Sequence, residues 1–221
     1  MKKVYLGLAI TTLLTGCMST GQTTKATNTA TAAVSASTPG NLILDPQLTA
    51  FRKSGGKSNV WVKIADKNNG LGDTGSSKDS AFDDDGSARV RFISKTDNFS
   101  AQPGLYQEVK GLQPNTDYEF SLYYYDKKGN NSPTELVFGA DSLKGEPLAI
   151  KTVHANELGD APQGALKKGF RQAAVSFNSG SNTIVKVYAK LKITDTAKIN
   201  MNGDIGKATE VRIDEFKLAK K

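Results

Sequence analysis

One parity of the segment 183–194, TIVKVYAKLKIT, carries lysines and a tyrosine. Successive side chains of a strand point to opposite faces, so the apolar parity would face a core and this row would face outward. The outward row consists of Lys186, Tyr188, Lys190 and Lys192. Ammonium groups attract anions, and a tyrosine ring offers a flat apolar surface with a hydroxyl at its edge. The row is therefore either the solvated side of a half-buried strand or a surface that holds a negatively charged ligand.

Two other alternating segments place arginine and tyrosine on their outward parities. These side chains are Arg89, Arg91, Tyr123 and Tyr125. A guanidinium group binds a carboxylate through two parallel hydrogen bonds, which suits the carboxylate of an acidic sugar. Together with the lysine row they form a candidate ligand-binding set, and ordinary solvated strand faces are the alternative interpretation.

Trp61 is the only tryptophan. Val60 and Val62 have the parity of core residues, which predicts that Trp61 faces away from the core and joins the candidate ligand-binding set. Two interpretations stay open, a platform on which a sugar stacks and a plug between a sheet and its covering loop.

The sequence offers little for catalysis. His154 is the only histidine and lies in KTVHANELG without an obvious partner, so no Ser/His/Asp set can be assembled. Cys17 is the only cysteine, which excludes a disulfide within the chain and a site of several thiolates. The acidic run 83–85 before Gly86 lacks the spacing of an EF-hand loop and predicts a solvated turn.

The chain consists of short runs in which apolar and polar residues alternate, separated by Gly, Asn, Asp and Pro. These runs must position the candidate ligand-binding residues. No stretch has a convincing helical period, and the pattern predicts an all-β protein, an antiparallel β-sandwich of the jelly-roll type. The predicted strands are 60–64, 87–94, 105–109, 117–126, 134–140, 171–178, 183–194 and 210–218. Residues 141–169 are a long connection or two weak strands.

The N-terminus has the pattern of an export signal, with two lysines, an apolar run from Val4 to Leu14, and Cys17 after small residues. The tetrapeptide 14–17, LTGC, resembles the lipobox of bacterial lipoproteins. The resemblance implies a signal peptide over 1–16, a lipid on Cys17 that anchors the chain to a membrane, and an outer-membrane or cell-surface location, since Met18 follows the cysteine.

Residues 17–40 are rich in Ser, Thr and Ala and predict a flexible linker, which leaves 41–221 as the folded domain. The net charge of +7 falls to about +5 when Lys2 and Lys3 leave with the signal. This moderate and widely spread positive charge argues against nucleic acid as a partner and favours a polyanionic glycan.

Four motifs in order resemble carbohydrate-binding modules of the jelly-roll type, in families 4, 9, 16 and 22. The motifs are NLILDP at 41–46, GLQPNTDYEFS at 111–121, GFRQ leading to VSF over 169–177, and VRIDEFKL at 211–218. The resemblance implies a two-sheet sandwich that binds sugar on its concave sheet or at its loop edge.

The same resemblance implies one structural Ca²⁺ where the first strand meets the last. Asp214 matches the family's metal-binding aspartate near the end of the chain. The acidic residue that the family has after the opening motif has its nearest equivalent in Thr49, and Asp45 within the motif is the other candidate ligand. Oxygen ligands suit calcium.

These observations predict a non-catalytic surface lipoprotein that binds an acidic polysaccharide. Alginate is the best single candidate, because the chain is similar to modules that accompany alginate lyases, and polysaccharide lyases are candidate partners. The protein would hold the polymer near the cell for degradation or uptake. One alternative is a jelly-roll alginate lyase, although the histidine and glycine motifs of such enzymes are missing around Tyr188 and Lys190. The other is a structural or adhesive envelope lipoprotein.

Overall fold

The computed structural model describes residues 39–78, 82, 86–159 and 169–221. The expected signal peptide, Cys17, the linker up to residue 38 and the acidic run 83–85 lie outside the described residues. No helix in the described part of the chain has the length and apolar character to cross a bilayer.

The described chain contains ten strands and two five-residue helices. The strands are β1 Val62–Ile64, β2 Asp73–Ser77, β3 Ser87–Arg91, β4 Gly104–Lys110, β5 Asp117–Asp126, β6 Thr134–Ser142, β7 Pro147–Val153, β8 Arg171–Asn178, β9 Ile184–Ile193 and β10 Val211–Lys220. The helices are α1 Thr49–Lys53 and α2 Ile205–Thr209.

The strands form two five-stranded antiparallel sheets. Sheet I has the order β1-β4-β9-β6-β7, and sheet II has the order β2-β3-β10-β5-β8. The predicted antiparallel β-sandwich is confirmed, and each of the eight predicted segments contains a strand. The two strands that were not predicted individually, β2 with sequence DTGSS and β7 with PLAIKTV, lack a clear apolar alternation.

The core lies between the two sheets and consists of the apolar parities of the strands. The predicted inward rows are buried. Among them are Ala88, Val90, Phe120, Leu122, Tyr124, Val185, Val187, Ala189 and Leu191, each at most 1% exposed. Burial of each large apolar side chain contributes about 1.5–3 kcal/mol to the hydrophobic free energy of folding. This core fixes which side chains each sheet must present outward.

Trp61 is part of this core, so the prediction that it faces outward is wrong. Its side chain is 2% exposed and its ring centroid lies 4.4 Å from that of Phe216. The indole Nε1–H donates to the carbonyl of Asp45 at 3.0 Å. β1 is only three residues long, and its outward residue is Val62. Because the indole ring has more apolar area to bury than valine, Trp61 takes the inward position and Val62 the outward one. This agrees with the interpretation of Trp61 as a plug.

Candidate functional site

The candidate ligand-binding residues divide between the two sheets. The lysine and tyrosine row of 186–192 lies on β9 in sheet I, whereas the arginines of β3 and the tyrosines of β5 lie in sheet II. The outward faces of two packed sheets point away from each other. A single track made of all these residues is therefore ruled out, and each face has to be considered alone.

On sheet II the arginines neutralise carboxylates of the fold. Arg89 Nη2 lies 3.5 Å from Asp73 Oδ2, and Arg91 Nε donates to the same oxygen at 3.2 Å. Arg91 also approaches Glu210, with 3.5 Å between Nη1 and Oε2, and the buried Arg212 pairs with Glu210 at 3.0 Å. These guanidinium groups hold together three neighbouring strands and the α2–β10 junction, and their charge is largely compensated.

The sheet II tyrosines lie under other aromatic side chains. Phe82 stacks on Tyr123 with 4.1 Å between ring centroids, and Phe170 lies 5.4 Å from the Tyr125 ring. Burial, with a contribution from Glu215, raises the pKa of Tyr123. A side chain at Gly169 would overlap the Tyr125 ring. Tyr123 and Tyr125 thus belong to an aromatic cluster in which other rings partly cover them.

On sheet I the strand register brings aromatic and charged side chains together around β9. Tyr188 is opposite Tyr106 on β4 and Gly139 on β6. Lys186 is flanked by Glu108 and Asp141, and Lys192 by Glu135 on β6, with which it forms an ion pair at 2.8 Å. We call the outward side of β4, β9 and β6 the tyrosine face. It is defined by Tyr106, Glu108, Glu135, Asp141, Lys186, Tyr188, Lys190 and Lys192.

Two glycines shape the tyrosine face. A Cβ at Gly139 would overlap the carbonyl oxygen of Ala149 and lie 3.0 Å from the Tyr188 hydroxyl, so only glycine lets the Tyr188 ring extend across β6. A Cβ at Gly104, opposite Lys190, would overlap the carbonyl oxygen of Ala189. Because these two positions carry no side chain, the surface of the tyrosine face lies close to the backbone on both sides of β9.

The lysines of this face lie over the tyrosine rings. Lys190 Nζ is 4.2 Å from the Tyr188 ring centroid, and Lys186 Nζ is 4.7 Å from that of Tyr106. Both distances are within the range of cation–π attraction. Tyr188 faces outward as predicted, but it is only 3% exposed, whereas Tyr106 is half-buried. The accessible ring of the pair is therefore Tyr106, which the sequence interpretation missed although its parity in LYQEV was readable.

Tyr188 and Asp141 form a hydrogen-bonded pair. Burial raises the pKa of Tyr188 to about 12, with further contributions from the charge of Asp141 and from this bond. Burial also raises the pKa of Asp141, although Lys190, Lys186 and the Tyr188 hydroxyl act in the opposite direction. Tyr188 keeps its proton at neutral pH and acts as a donor that holds the carboxylate beside the lysines.

His154 is occupied by local contacts. Its Nδ1 lies 2.8 Å from Asn156 Oδ1, and its Nε2 lies 3.0 Å from the carbonyl oxygen of Ser132. The residue caps the short 3-10 turn Ala155–Glu157 by accepting from the backbone N–H of Asn156. These contacts hold His154 in the loop that follows β7.

A pocket of about 530 Å³ adjoins Tyr106 where β1 leaves the edge of β4. Leu44 and Val62, which are 43% and 45% exposed, form an apolar wall of this pocket. Asn59, Glu108 and Lys110 supply its polar groups. An apolar surface with a few polar groups at its rim is typical of small-molecule sites.

The expected calcium ligands are engaged with backbone N–H groups. Asp45 accepts from Ala50 and Phe51 at the start of α1, at 2.8 and 2.9 Å, and Asp214 accepts from Phe82 and Glu215. Thr49 is the first residue of α1. Among the described residues, no group of three or more His, Cys, Asp or Glu side chains is arranged to hold a metal ion. The structural Ca²⁺ stays a prediction.

Comparison with known proteins finds similarity in structure only. No protein-family model matches the chain, and no curated protein matches it. The enzymatically active domain of tailspike protein 4 of bacteriophage CBA120 is similar with a TM-score of 0.50 and 8% identity, over 82% of this chain and 22% of that one. The chain thus spans about a fifth of the tailspike that it matches, and at this identity the likeness shows the fold alone.

Two carbohydrate-binding modules are also similar. TmCBM61, solved in complex with β-1,4-galactotriose, has a TM-score of 0.49 and 14% identity over 82% of this chain and 99% of its own. The CBM22-1 xylan-binding domain of Xyn10C from Paenibacillus barcinonensis has a TM-score of 0.44 and 14% identity, over 74% of this chain and 87% of its own.

Proposed function

We propose that the tyrosine face binds a polysaccharide without cleaving it, and that the polymer is acidic, with alginate the best single candidate. The observation that carries the proposal is the Tyr106–Lys186 pair beside the pocket at the β1–β4 edge. There an aromatic ring, an apolar wall and an ammonium group lie within reach of one sugar unit.

The residue types fit the chemistry of a pyranose that carries a carboxylate. The apolar C–H side of the sugar packs on the Tyr106 ring and on Val62, and the carboxylate meets the ammonium groups of Lys186 and Lys190. The face carries three lysines and three carboxylates, Glu108, Glu135 and Asp141, so its attraction for an acidic polymer depends on the local positions of the ammonium groups and not on an excess of positive charge. We expect shallow contacts that gain affinity when several sugar units of one polymer bind together.

Two features of the described residues support binding without bond cleavage. A Tyr188 hydroxyl whose pKa is raised to about 12 is a poor general base at neutral pH. His154 is held by Asn156 and Ser132 on a loop beyond β7. A lyase is the alternative, and the appearance of unsaturated products in ultraviolet absorbance, when the protein is incubated with alginate, would replace the binding proposal by that activity.

The resemblance of the N-terminus to a lipoprotein signal supports a location of this function at the outer membrane or cell surface. A chain anchored through Cys17 at the outer membrane or cell surface, with a flexible linker up to residue 40, would hold captured polymer near the cell for lyases or importers. An adhesive lipoprotein that binds protein is the other alternative, and a glycan array on which the protein binds no sugar would favour it.

Affinity electrophoresis tests the binding directly. In gels that contain alginate, pectin or neutral xylan, we expect retardation by the two acidic polymers. Retardation should weaken in about 1 M NaCl, where the Debye length falls to about 3 Å. Equal retardation by xylan, or retardation that is unchanged at high salt, would overturn the acidic part of the proposal.

Variants test the face. Tyr106→Ala is expected to weaken alginate binding about tenfold, equivalent to about 1.4 kcal/mol, because the accessible ring is lost. Tyr106→Phe keeps the ring and should retain most of the affinity.

Lys186→Gln should weaken alginate binding and the dependence of this binding on salt. Lys217 is an exposed lysine of β10 in sheet II, so Lys217→Gln removes the same charge away from this face. An equal loss for both lysine variants would argue for nonspecific attraction.

A further inference from the structure

A second pocket lies at the opposite corner of β1 from Tyr106, where the edge strands β1 and β2 of the two sheets approach each other. Its volume is about 390 Å³, and both strands together with the turn at Gly55 line it. Gly72 and Gly75 contribute no side chain to its wall. The pocket is therefore mainly polar, in contrast to the apolar pocket beside the tyrosine face.

Lys63 of β1 contributes an ammonium group to this pocket. Its Nζ lies 5.7 Å from the centroid of the Phe51 ring, and a Cβ at Gly56 would be 3.2 Å from it. Burial lowers the pKa of Lys63, although the charge of Asp73 acts against this. Lys63 is exposed as a residue, and within the described part of the chain it forms no ion pair closer than 4.0 Å, so its ammonium group is open to the pocket.

Two further donors of the pocket residues are buried. The hydroxyl of Thr74 and the Nε of Arg89 have no hydrogen-bond partner among the described residues. Thr74 is 4% exposed, lies on the inward parity of β2 and lines the pocket together with Lys63. Buried polar groups of folded proteins normally find partners, and each exception requires an explanation.

The acidic groups of the pocket are already engaged. Asp66 accepts hydrogen bonds from the backbone N–H groups of Asn68 and Asn69, and Asp73 pairs with both Arg89 and Arg91. Of the two described lysines that line the pocket, Lys67 and Lys63, neither has an ion-pair partner within 4.0 Å among the described residues, and Lys63 is the one on β1. Its ammonium and the Thr74 hydroxyl together suit a small planar anion with two acceptor oxygens.

We propose that this pocket between β1 and β2 is a second ligand site, which binds the carboxylate of a single acidic sugar through Lys63 and Thr74. The sugar ring would lie towards the open side of the pocket, against the glycine-lined backbone. The site is separate from the tyrosine face, since Lys63 and Thr74 lie on the inward parities of β1 and β2, whereas Tyr106 lies on the outward parity of β4.

Titration calorimetry of the detergent-solubilised full chain tests the site, with sodium glucuronate as the ligand, and with glucose and inorganic phosphate as comparison ligands. We expect glucuronate to bind and glucose not to bind. Binding of phosphate as strong as that of glucuronate would overturn the assignment to a carboxylate sugar, and no binding of glucuronate would overturn the site.

Two variants separate binding from folding. Lys63→Met keeps the stem over Phe51, and Thr74→Val keeps the shape of Thr74. Each is expected to weaken glucuronate binding at least about tenfold while thermal unfolding stays at or above the temperature of the unchanged chain, because each removes a polar group without a partner. Unchanged affinity in Lys63→Met would overturn the proposal.

A matched variant on the other face keeps this test independent of the proposed function. Lys190→Gln should leave glucuronate binding unchanged and weaken retardation by alginate. If Lys190→Gln abolishes glucuronate binding, the small acid binds to the tyrosine face and the second site is wrong. If alginate retardation is absent while glucuronate still binds through Lys63, the proposed function fails and the second site stands.

Discussion

At the scale of single residues, Tyr188 shows how an outward side chain becomes part of the structure of a site. Its ring lies across Gly139, its hydroxyl binds Asp141, and Lys190 covers it at 4.2 Å. The residue is buried although it stands on the outer side of the sheet. Tyr188 therefore positions two opposite charges, and Tyr106 beside it offers the accessible ring.

Asp141 gives this arrangement a dependence on pH. Its pKa in the folded protein is raised, chiefly by burial, so the fold favours its protonated form. The stability that this proton contributes is fully present below the ordinary aspartate pKa of about 3.9, and it is lost as the pH rises through the raised folded value. Asp141→Asn cannot lose a proton, so the stability difference between the variant and the unchanged chain should move in favour of the variant over this interval.

Thermal unfolding of both proteins from pH 3 to pH 7 measures the difference. NMR titration of the Asp141 carboxyl group measures the pKa itself. In Tyr188→Phe the pKa should rise further, because the hydroxyl that stabilises the carboxylate is gone. An Asp141 pKa at or below the ordinary value would contradict the role that we assign to burial.

At the scale of elements, glycines decide how closely neighbouring strands and side chains meet on sheet I. Gly139 of β6 lies between Tyr188 on β9 and Ile150 on β7. Gly104 of β4 lies beside Lys190 at the point where β1 joins the sheet. At both positions a side chain would overlap backbone of the adjacent strand, so the shape of the tyrosine face depends on the pairing of four strands.

Gly139→Ala is expected to lower the free energy of unfolding by about 1–3 kcal/mol, the usual cost of extra atoms in a packed site. The added methyl group would overlap the carbonyl oxygen of Ala149 and crowd the Tyr188 hydroxyl. Urea denaturation measures the loss. Gly159→Ala is the matched control, because a Cβ there meets no described residue within 4 Å and should change the stability little. Equal stability of the two variants would show that the strands adjust without cost.

At the scale of the whole molecule, the sandwich gives its two outer faces different roles. The outer side of sheet II is closed by ion pairs around Glu210 and by the aromatic cluster of Phe82 and Phe170. The outer side of sheet I carries the tyrosine face. Residues that bind the polymer are therefore expected on the outer side of sheet I, and substitutions of the sheet II arginines should affect stability before they affect affinity for the polymer.

The predicted calcium ion would act on the stability of the whole domain. An ion that binds only the folded state stabilises it by about 2.7 kcal/mol at a hundred times its dissociation constant. We expect the unfolding temperature to be higher in CaCl₂ than in EGTA, with MgCl₂ as the control for ionic strength. Asp214→Asn should remove the difference. Identical unfolding temperatures in CaCl₂ and EGTA would contradict the calcium prediction.

The predicted lipid anchor determines where the whole chain is found in the cell. Cys17→Ala removes the thiol that would carry the lipid, so the variant should leave the membrane fraction and appear in the soluble fraction. Immunoblots of fractionated cells measure this, and Met18→Ala serves as the control that keeps the cysteine. A Cys17→Ala chain that stays with the membranes would contradict the anchor.

The sequence by itself determined the sandwich and the parity of its main strands. Apolar residues alternate in 117–126 and 183–194, and burying them on one side leaves a single arrangement of inward and outward rows. The rule failed at Trp61, because β1 is only three residues long and burial of one indole outweighs burial of the flanking Val60 and Val62. β2 gave no signal, because DTGSS has no apolar row.

Only the tertiary structure decided which outward rows meet. Parity places Arg89 and Lys186 equally on outer faces, but it carries no information on which strands pair, and the pairing puts them on opposite sides of the molecule. The same pairing sets Tyr106 beside Tyr188, which lie 82 positions apart in the chain. Contacts between distant segments depend on the whole sandwich, and this is why the sequence predicted the residue types of the site but not their grouping.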